Sequence, residues 1–178
     1  MNKYFQYSLT KLIEIPIIKL IPLLFILALA GCEKEVPVEV PAANTLTSDA
    51  NGYYCLMTVV YHKGPKGQVI LSDGKVLWFT SVRDTVSFTM LPEEPKNISA
   101  IYVNDMSNAE WDNPGEDNWI LAKDAWYVVG SGKTGGMGEP EAIPFSTKEN
   151  AQMFVGEQGG EIYAFSAIPR EYIIKTTE

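Results

Sequence analysis

A thiol and a thioether stand one residue apart at Cys55-Leu56-Met57. The surrounding segment, residues 53–60, is rich in residues that favour β-strands. A strand there would place Cys55 and Met57 on the same face, about 6.6 Å apart. At that spacing the two sulfur atoms can bind one ion, and soft sulfur ligands select Cu(I) over hard cations. The alternative is a buried free cysteine beside a core methionine, since both are common in protein interiors.

His62 is the only histidine in the chain and follows Cys55 by seven residues. Residues 63–67, directly after it, contain glycines and a proline that favour a turn. Such a turn could bring the imidazole back towards the two sulfur atoms. Imidazole is a suitable copper ligand and would complete a set of two sulfurs and one nitrogen. The alternative is a solvated histidine in a turn.

Two further methionines, Met106 and Met137, lie in segments without helix or strand periodicity. Either could be a third or an exchanging thioether ligand, or could simply pack a loop, so both are secondary candidates. Met90 and Met153 fall within predicted helices, where packing in the core is the expected role.

The N-terminal segment has the features of a bacterial lipoprotein signal. Three lysines are followed by an apolar run from Leu20 to Ala30, which is too short for a comfortable membrane span. The run ends in Leu29-Ala30-Gly31-Cys32, which has the pattern of a lipobox. We therefore predict that residues 1–31 are a signal peptide and that Cys32 is lipidated. An uncleaved N-terminal anchor is the alternative.

Lipidation of Cys32 has consequences for location and for chemistry. It predicts a protein anchored on the periplasmic side of a membrane, and Glu33 in place of an aspartate favours the outer membrane. It also leaves Cys55 as the only free thiol of the mature chain. A lone thiol in an oxidising compartment calls for a reason, which strengthens the interpretation of Cys55 as a metal ligand.

Charge and composition limit the partners and the number of domains. From Cys32 onwards the chain carries 11 basic and 21 acidic residues, a net charge of about −10 over 147 residues. This argues against nucleic acid, and is compatible with a basic partner, a metal cation or simple solubility. Residues 32–51 are predicted to form an acidic, proline-containing tether, and residues 52–178 a single domain.

Other chemistries fit these residues less well. A structural zinc site needs four ligands, typically Cys and His, and the mature chain has one of each. Residues 130–134 imitate the end of a phosphate-binding loop but lack its first glycine. A thiol-dependent enzyme in which His62 activates Cys55 stays open, as does a structural lipoprotein with an inert cysteine.

The domain shows a weak internal repeat with a period of about 66 residues. Two predicted helices, one ending at Met90 and one at about Gln158, are each preceded by two strand-like runs and followed by one. Hydroxyl residues stand before each helix, and Ser146 with Glu149 predicts a capping box. The predicted fold is α+β, with two similar ββαβ units whose helices pack on antiparallel sheet. Residues 108–118 and 131–140 are predicted loops.

The order of several short motifs resembles the NosL family, the accessory lipoproteins of nitrous oxide reductase. After the lipobox and Cys-x-Met, the motifs are His-x-Gly-Pro-Lys-Gly-Gln, Trp-Phe-(x)3-Arg-Asp, Tyr-Val-x-Asp-Met, Ala-Trp-Tyr-Val-x-Gly-Ser and Gly-Gly-Met-Gly-x-Pro-Glu-Ala-x-Pro-Phe. The resemblance covers nearly all of residues 53–172. Family members commonly have glycine where this chain has Leu56.

The resemblance implies a Cu(I)-binding periplasmic lipoprotein, not an enzyme, that supplies copper for the copper-sulfide centre of the reductase. The recipient would be an ABC-type membrane complex with its periplasmic subunit, or the reductase itself. It also implies two ββαβ units. The family's ligand motifs fall on Cys55, Met57 and His62, with Met106 and Met137 as the further methionines.

Overall fold

The computed structural model of the protein describes residues 39–174. The predicted signal peptide and Cys32 lie outside the described residues. Within them, the strands are β1 Gly67–Leu71, β2 Val76–Phe79, β3 Ile98–Asn104, β4 Trp119–Leu121, β5 Trp126–Thr134, β6 Pro140–Phe145 and β7 Glu161–Ala164. The helices are α1 Val82–Met90, α2 Lys148–Gln158 and α3 Arg170–Ile173, and short 3-10 turns cover Val59–Tyr61, Ala122–Asp124 and Phe165–Ala167.

The strands form two antiparallel sheets that repeat one arrangement. The strand order is β2-β1-β3-β4 in the first sheet and β6-β5-β7 in the second. In each unit two strands, a helix and a third strand follow one another, and the first strand lies between the other two. The predicted α+β fold of two similar ββαβ units is therefore confirmed, and β4 is an additional edge strand of the first sheet.

Helices cover both faces of the second sheet. Three consecutive residues of β5, Tyr127–Val129, are buried. Because side chains alternate across a strand, the outer two of these residues pack in a cluster with Val82 of α1. The middle one packs in a cluster with Ala151 of α2. Helix α1 also packs on the first sheet through Phe88, so it joins the two units into one core.

Each of the two long helices begins with a hydroxyl cap. The Ser81 side chain accepts a hydrogen bond from the Asp84 N–H at 3.0 Å, and the Thr147 side chain accepts one from the Asn150 N–H at 3.2 Å. These bonds satisfy N–H groups that a helix leaves free at its start. The cap of α2 is therefore Thr147, and the predicted capping box that starts at Ser146 is wrong by one residue.

A buried network ties the start of α1 to β6 and to the C-terminal helix. The Arg83 N–H donates to Glu141 Oε1 at 2.8 Å, and its guanidinium donates to the Ile173 carbonyl through Nε and Nη2. The same guanidinium lies over the Tyr172 ring, and the Tyr172 hydroxyl donates to the Glu141 carbonyl. These contacts link the first unit to the second and close the end of the domain.

Residues 44–51, predicted as part of the tether, pack against the first unit. The Asn44 N–H donates to the Gln68 side chain at 2.8 Å, and the Leu46 N–H donates to the Glu116 carbonyl at 2.9 Å. Leu46 is buried in a small apolar cluster. The folded domain therefore begins before residue 52.

Two further segments differ from their predictions. Residues 53–60 do not form the predicted strand but a tight turn followed by a 3-10 turn. The predicted loop at 131–140 is shorter, because β5 continues to Thr134 and β6 begins at Pro140. We call residues 135–139 the glycine loop. In the described range 39–174, no helix has the length and apolar character to cross a membrane.

Candidate metal centre

Cys55 lies in a tight turn that we call the cysteine turn, residues 52–57. The Gly52 N–H donates to the Met57 carbonyl at 2.9 Å, and the Leu56 N–H donates back to the Gly52 carbonyl at 2.8 Å. Leu56 has a φ of 59°, a left-handed conformation that leucine rarely adopts. Because a strand needs extended backbone throughout, this residue alone excludes the predicted strand geometry. The positions of Cys55 and Met57 are therefore set by the turn and not by strand alternation.

The cysteine turn is fixed to the edge of the first sheet. The Tyr53 N–H donates to the Trp78 carbonyl of β2 at 2.7 Å, and Gly52 forms an isolated parallel bridge to the same residue. The hydroxyls of Tyr53 and Tyr54 donate to the two carboxylate oxygens of Glu94. The Tyr53 ring meets the Phe88 ring edge-on at 5.6 Å. The turn therefore has a rigid base, while its tip faces solvent.

The Cys55 thiol is free and partly buried. Its sulfur lies 3.7 Å from the hydroxyl oxygen of Thr80, within hydrogen-bond range for sulfur. A Cβ placed on Gly52 would come within 2.6 Å of the sulfur, so this position leaves room for hydrogen only. The neighbouring side chains are open: Leu56 is 78% exposed and Met57 is 41% exposed. A thiol held at its base thus stands beside a solvent-accessible thioether.

His62 ends the short 3-10 turn and packs against the glycine loop. The His62 N–H donates to the Val59 carbonyl at 3.1 Å. A Cβ on Gly136 would lie 2.6 Å from His62 Cβ and 2.9 Å from Nδ1, so the imidazole rests on bare backbone. The next residue, Met137, is 45% exposed. The fold thereby brings His62 close to the Met137 loop, although about 75 residues separate the two in sequence.

A second close approach supports this pairing of loops. Gly64 has a φ of 80°, and a Cβ on it would meet the Trp111 ring at 3.3 Å and the Gly135 Cα at 3.5 Å. The Gly64 N–H also donates to the Trp111 carbonyl at 2.7 Å. The ammonium of Lys133 lies over the Trp111 ring, 5.2 Å from its centroid. The turn after His62, the loop around Trp111 and the glycine loop are therefore packed together.

Two ionisable side chains are buried beneath these loops. The Lys66 ammonium donates to the Gly64 carbonyl at 2.8 Å, and burial lowers the pKa of Lys66 to about 8 against an opposing effect of Glu141. Burial raises the pKa of Glu141 to about 8, although Oε1 accepts two backbone N–H groups. Glu141 Oε2 has no hydrogen-bond partner in the described part of the chain and faces Gly135.

The remaining methionines have different environments. Met106 is 8% exposed and packs in the core between the second sheet and α2. Its N–H donates to the Pro144 carbonyl at 2.9 Å. Met90 packs against the core as predicted, whereas Met153 is 64% exposed on α2, so its predicted core position is wrong. Of the two secondary candidates, only Met137 reaches solvent at the glycine loop, and Met106 has the environment of a packing residue.

In residues 39–174, no three His, Cys, Asp or Glu side chains come together in a group that could hold a metal. A cation at the cysteine turn would depend on the Cys55 thiolate together with the Met57 thioether. Thiolate with thioether is the ligand chemistry of soft monovalent copper. The Cys55 sulfur is hydrogen-bonded to the Thr80 hydroxyl and not to an imidazole. A Cys–His nucleophile pair needs a hydrogen bond between the thiol and the imidazole.

Sequence reasoning missed four residues that shape this region: Gly52, Thr80, Gly136 and Glu141. Each acts through a contact with a residue far away in the chain or across a turn, such as the Glu141 bond to the Arg83 N–H. Their only sequence signal is their presence in or next to the motifs quoted above. A glycine or threonine at such a position does not reveal which side chain it faces.

Fold and site together define a class of protein: an α+β domain of two ββαβ units that presents a free thiol and a thioether on a surface turn. The NosL family model matches residues 42–173, and the chain belongs to this family. It is 40% identical over 153 residues to the copper-binding lipoprotein NosL of Achromobacter cycloclastes, covering 84% of this chain and 79% of that relative.

Two other relatives extend the comparison. The copper-binding lipoprotein NosL of Stutzerimonas stutzeri is 29% identical over 150 residues, which are 84% of this chain and 78% of that relative. The crystal structure of the copper chaperone NosL from Shewanella denitrificans is 36% identical, with a TM-score of 0.68 over 72% of this chain and 96% of that one. The fold described above is thus the fold of a solved family member.

Proposed function

We propose that this chain is a Cu(I)-binding lipoprotein that delivers copper for assembly of the copper-sulfide centre of nitrous oxide reductase. The observation that carries the proposal is the cysteine turn, where a free thiol with a fixed base stands beside an exposed thioether. The names of the relatives support copper as the cargo. The oxidation state and the reductase are our additions, from the sulfur chemistry and from the family resemblance.

In this proposal Cys55 binds copper as a thiolate, Met57 as a thioether and His62 as the nitrogen ligand. Met137 is the secondary candidate that the structure favours, since the glycine loop contacts His62. Met106 ranks below it because its side chain is buried. Every proposed ligand except Cys55 is neutral, so the thiolate supplies the charge that balances Cu(I).

Copper would leave by associative ligand exchange. Three ligands leave Cu(I) open to a fourth from an incoming protein, and the exposed thioether of Met57 is the ligand that can most readily be replaced. No covalent bond of a substrate is made or broken, so we assign no enzymatic activity. The proposed recipient is an ABC-type membrane complex with its periplasmic subunit, or the reductase itself. The proposed location is the periplasmic face of the outer membrane.

A competition titration tests the proposal. Cu(I) is partitioned anaerobically between the protein and a coloured Cu(I) chelator, for wild type and for Cys55→Ser. Both proteins also carry Cys32→Ser, so that Cys55 is the only thiol of the protein called wild type here. We expect wild type to remove one copper ion per chain and Cys55→Ser to remove none at the same chelator concentration, because a hydroxyl does not replace a thiolate. Stoichiometric tight binding by Cys55→Ser would refute the proposal.

Recipient identity needs its own experiment. Copper-loaded protein is mixed with the isolated periplasmic subunit of the membrane complex or with copper-free reductase. The two proteins are then separated by size, and the copper content of each is measured. Slower transfer from Met57→Leu than from wild type, with both proteins carrying the same amount of copper, would support exchange through the thioether. Transfer to neither protein would contradict the proposed delivery role while leaving copper binding intact.

A further inference from the structure

Thr80 occupies a rigid position directly behind the cysteine turn. It stands between Phe79, the last residue of β2, and Ser81, the cap of α1. Phe79 pairs with Gly67 in the first sheet, and Ser81 is held by its bond to the Asp84 N–H. With its backbone fixed on both sides and its residue only 2% exposed, Thr80 has little freedom to move.

The orientation of the Thr80 side chain is defined by two contacts. Its methyl carbon lies 3.3 Å from the point where a Cβ on Gly52 would stand, and its hydroxyl oxygen lies 3.7 Å from the Cys55 sulfur. In the described part of the chain, this sulfur is the hydrogen-bond partner shown for the hydroxyl. Buried hydroxyls are usually hydrogen-bonded, so the pairing accounts for a polar group in a closed position.

Copper binding determines the direction of this hydrogen bond. A free thiol and a hydroxyl can each act as donor, but a thiolate carries no proton. When Cys55 binds copper as a thiolate, the Thr80 hydroxyl must therefore be the donor. The bond then restricts rotation of the Cys55 side chain. It also points the partially positive hydroxyl hydrogen at the sulfur. Groups that contact a metal ligand in this way orient it and adjust its donor strength.

From this geometry we infer that Thr80 is a positioning residue for copper: its hydroxyl donates to the Cys55 thiolate, orients the sulfur and adjusts its bond to Cu(I). The inference rests on the proposed function, since it takes Cys55 as a copper ligand. It assigns the positioning of the sulfur to a buried residue between β2 and α1, which is not itself a metal ligand. Leu56 and Met57 are exposed, so Thr80 provides the rigid contact of the sulfur.

The test uses the complete chain in detergent, with Cys32→Ser in every variant so that Cys55 is the only thiol. Thr80→Val keeps the shape and removes the hydroxyl, and Thr80→Ser keeps the hydroxyl and removes the methyl. We expect Thr80→Val to lose about tenfold or more in Cu(I) affinity, the range typical for groups that orient a metal ligand. We also expect its sulfur-to-copper charge-transfer band to move to longer wavelength, because a sulfur without the hydrogen bond holds its electrons less tightly.

Thr80→Ser should keep the wild-type band and most of the affinity, and thermal unfolding of each copper-free variant reports separately on the fold. Wild-type affinity and band position in Thr80→Val would overturn the inference. So would equal losses in both variants with no change of the band, which would mark a structural role only. Cys55→Ser in the same series separates the two claims: tight copper binding there refutes the proposed function, whereas its loss together with a normal Thr80→Val refutes only the role of Thr80.

Discussion

At the level of single residues, the cysteine turn combines strain with exposure. Leu56 takes a left-handed conformation and leaves 78% of its surface in solvent. Neither feature stabilises the fold, and strained backbone in a native structure points to a local function. The conformation lets Gly52 close the turn while the thiol stays against Thr80. The turn therefore holds the Cys55 sulfur in one place, and its exposed neighbours remain free to adapt.

Gly52→Ala should displace the thiol. The added methyl carbon would lie 2.6 Å from the Cys55 sulfur, which is closer than van der Waals contact allows, so the sulfur has to move. We expect Cu(I) affinity to fall about tenfold or more, as when the support of a metal ligand is lost. The matched control is Gly156→Ala on α2, where the added Cβ meets no atom within 4 Å. The control should keep the affinity and gain up to about 1 kcal/mol of stability; unchanged affinity in Gly52→Ala would contradict a fixed sulfur.

His62→Ala should weaken Cu(I) binding only in part and should reduce its dependence on acid. A proton and a metal compete for the same imidazole nitrogen, so a histidine ligand makes affinity fall as the solution becomes more acidic. Chelator competition across a pH series measures this for both proteins. If the two curves of affinity against pH superimpose, His62 is not a ligand. Met137→Leu then tests whether the thioether of the glycine loop is the third ligand.

At the level of elements, the repeat of two ββαβ units could be predicted because local signals agree with the tertiary structure. Both helices follow hydroxyl residues, and each strand of the units contains a run of apolar residues. The cysteine turn could not be predicted in the same way. Residues 53–60 have high β-propensity, yet the Tyr53 N–H bond to the Trp78 carbonyl and the left-handed Leu56 impose a turn. Tertiary contacts override a weak local preference there.

The same limit applies to the candidate ligands. Residue types and their order in the chain were sufficient to nominate Cys55, Met57 and His62 as candidate ligands, because few side chains in the chain can bind a soft metal. They were insufficient to separate Met106 from Met137, which both lie in segments without periodicity. Their difference comes from packing: Met106 faces the core beside α2, and Met137 stands on the exposed glycine loop.

The buried carboxyl of Glu141 predicts a pH-dependent stability. Burial raises its pKa to about 8, above the ordinary value of 4.5, so the folded chain holds this proton more tightly than the unfolded chain does. The contribution to stability is fully present below the ordinary carboxyl pKa and is lost as the pH rises through about 8. Burial lowers the pKa of Lys66 from 10.5 to about 8, so this group affects the free energy of unfolding only above about pH 8.

Glu141→Gln should remove this effect. Between the ordinary carboxyl pKa and about pH 8, the free energy of unfolding of wild type should fall relative to the variant, by at most about 1.4 kcal/mol per pH unit. Urea unfolding at several pH values measures the difference. Glu157→Gln, at an exposed position on α2, is the matched control and should follow wild type. A Glu141→Gln profile parallel to wild type would contradict the buried, proton-retaining carboxyl.

At the level of the whole molecule, residues 39–174 belong to one folded domain. The domain begins before residue 52, since Asn44 and Leu46 are bonded to it. The two units share α1, and the Arg83–Glu141 network joins them at a second place. A domain so joined should unfold cooperatively, and the cysteine turn should be lost in the same transition.

Cys32→Ala should release the protein from lipid attachment. The predicted lipidation would join acyl chains to this cysteine, and each buried CH2 contributes about 0.8 kcal/mol to membrane binding. Membrane fractionation with mass spectrometry should find lipidated wild type in the membrane and the variant as unprocessed or soluble chain. A variant that stays anchored at full-length mass would mean that residues 20–30 form a retained anchor. Copper binding by the variant should be unchanged, because Cys32 is not a proposed ligand.

Copper, in this proposal, binds through sulfur at the cysteine turn. X-ray absorption at the copper edge of the Cu(I)-loaded protein tests it most directly, because the spectrum distinguishes sulfur from nitrogen and oxygen neighbours of the metal. We predict two sulfur scatterers and one nitrogen scatterer in wild type, with one sulfur lost in Met57→Leu. A first shell of nitrogen and oxygen alone, or a sulfur count that neither Met57→Leu nor Cys55→Ser changes, would contradict the account.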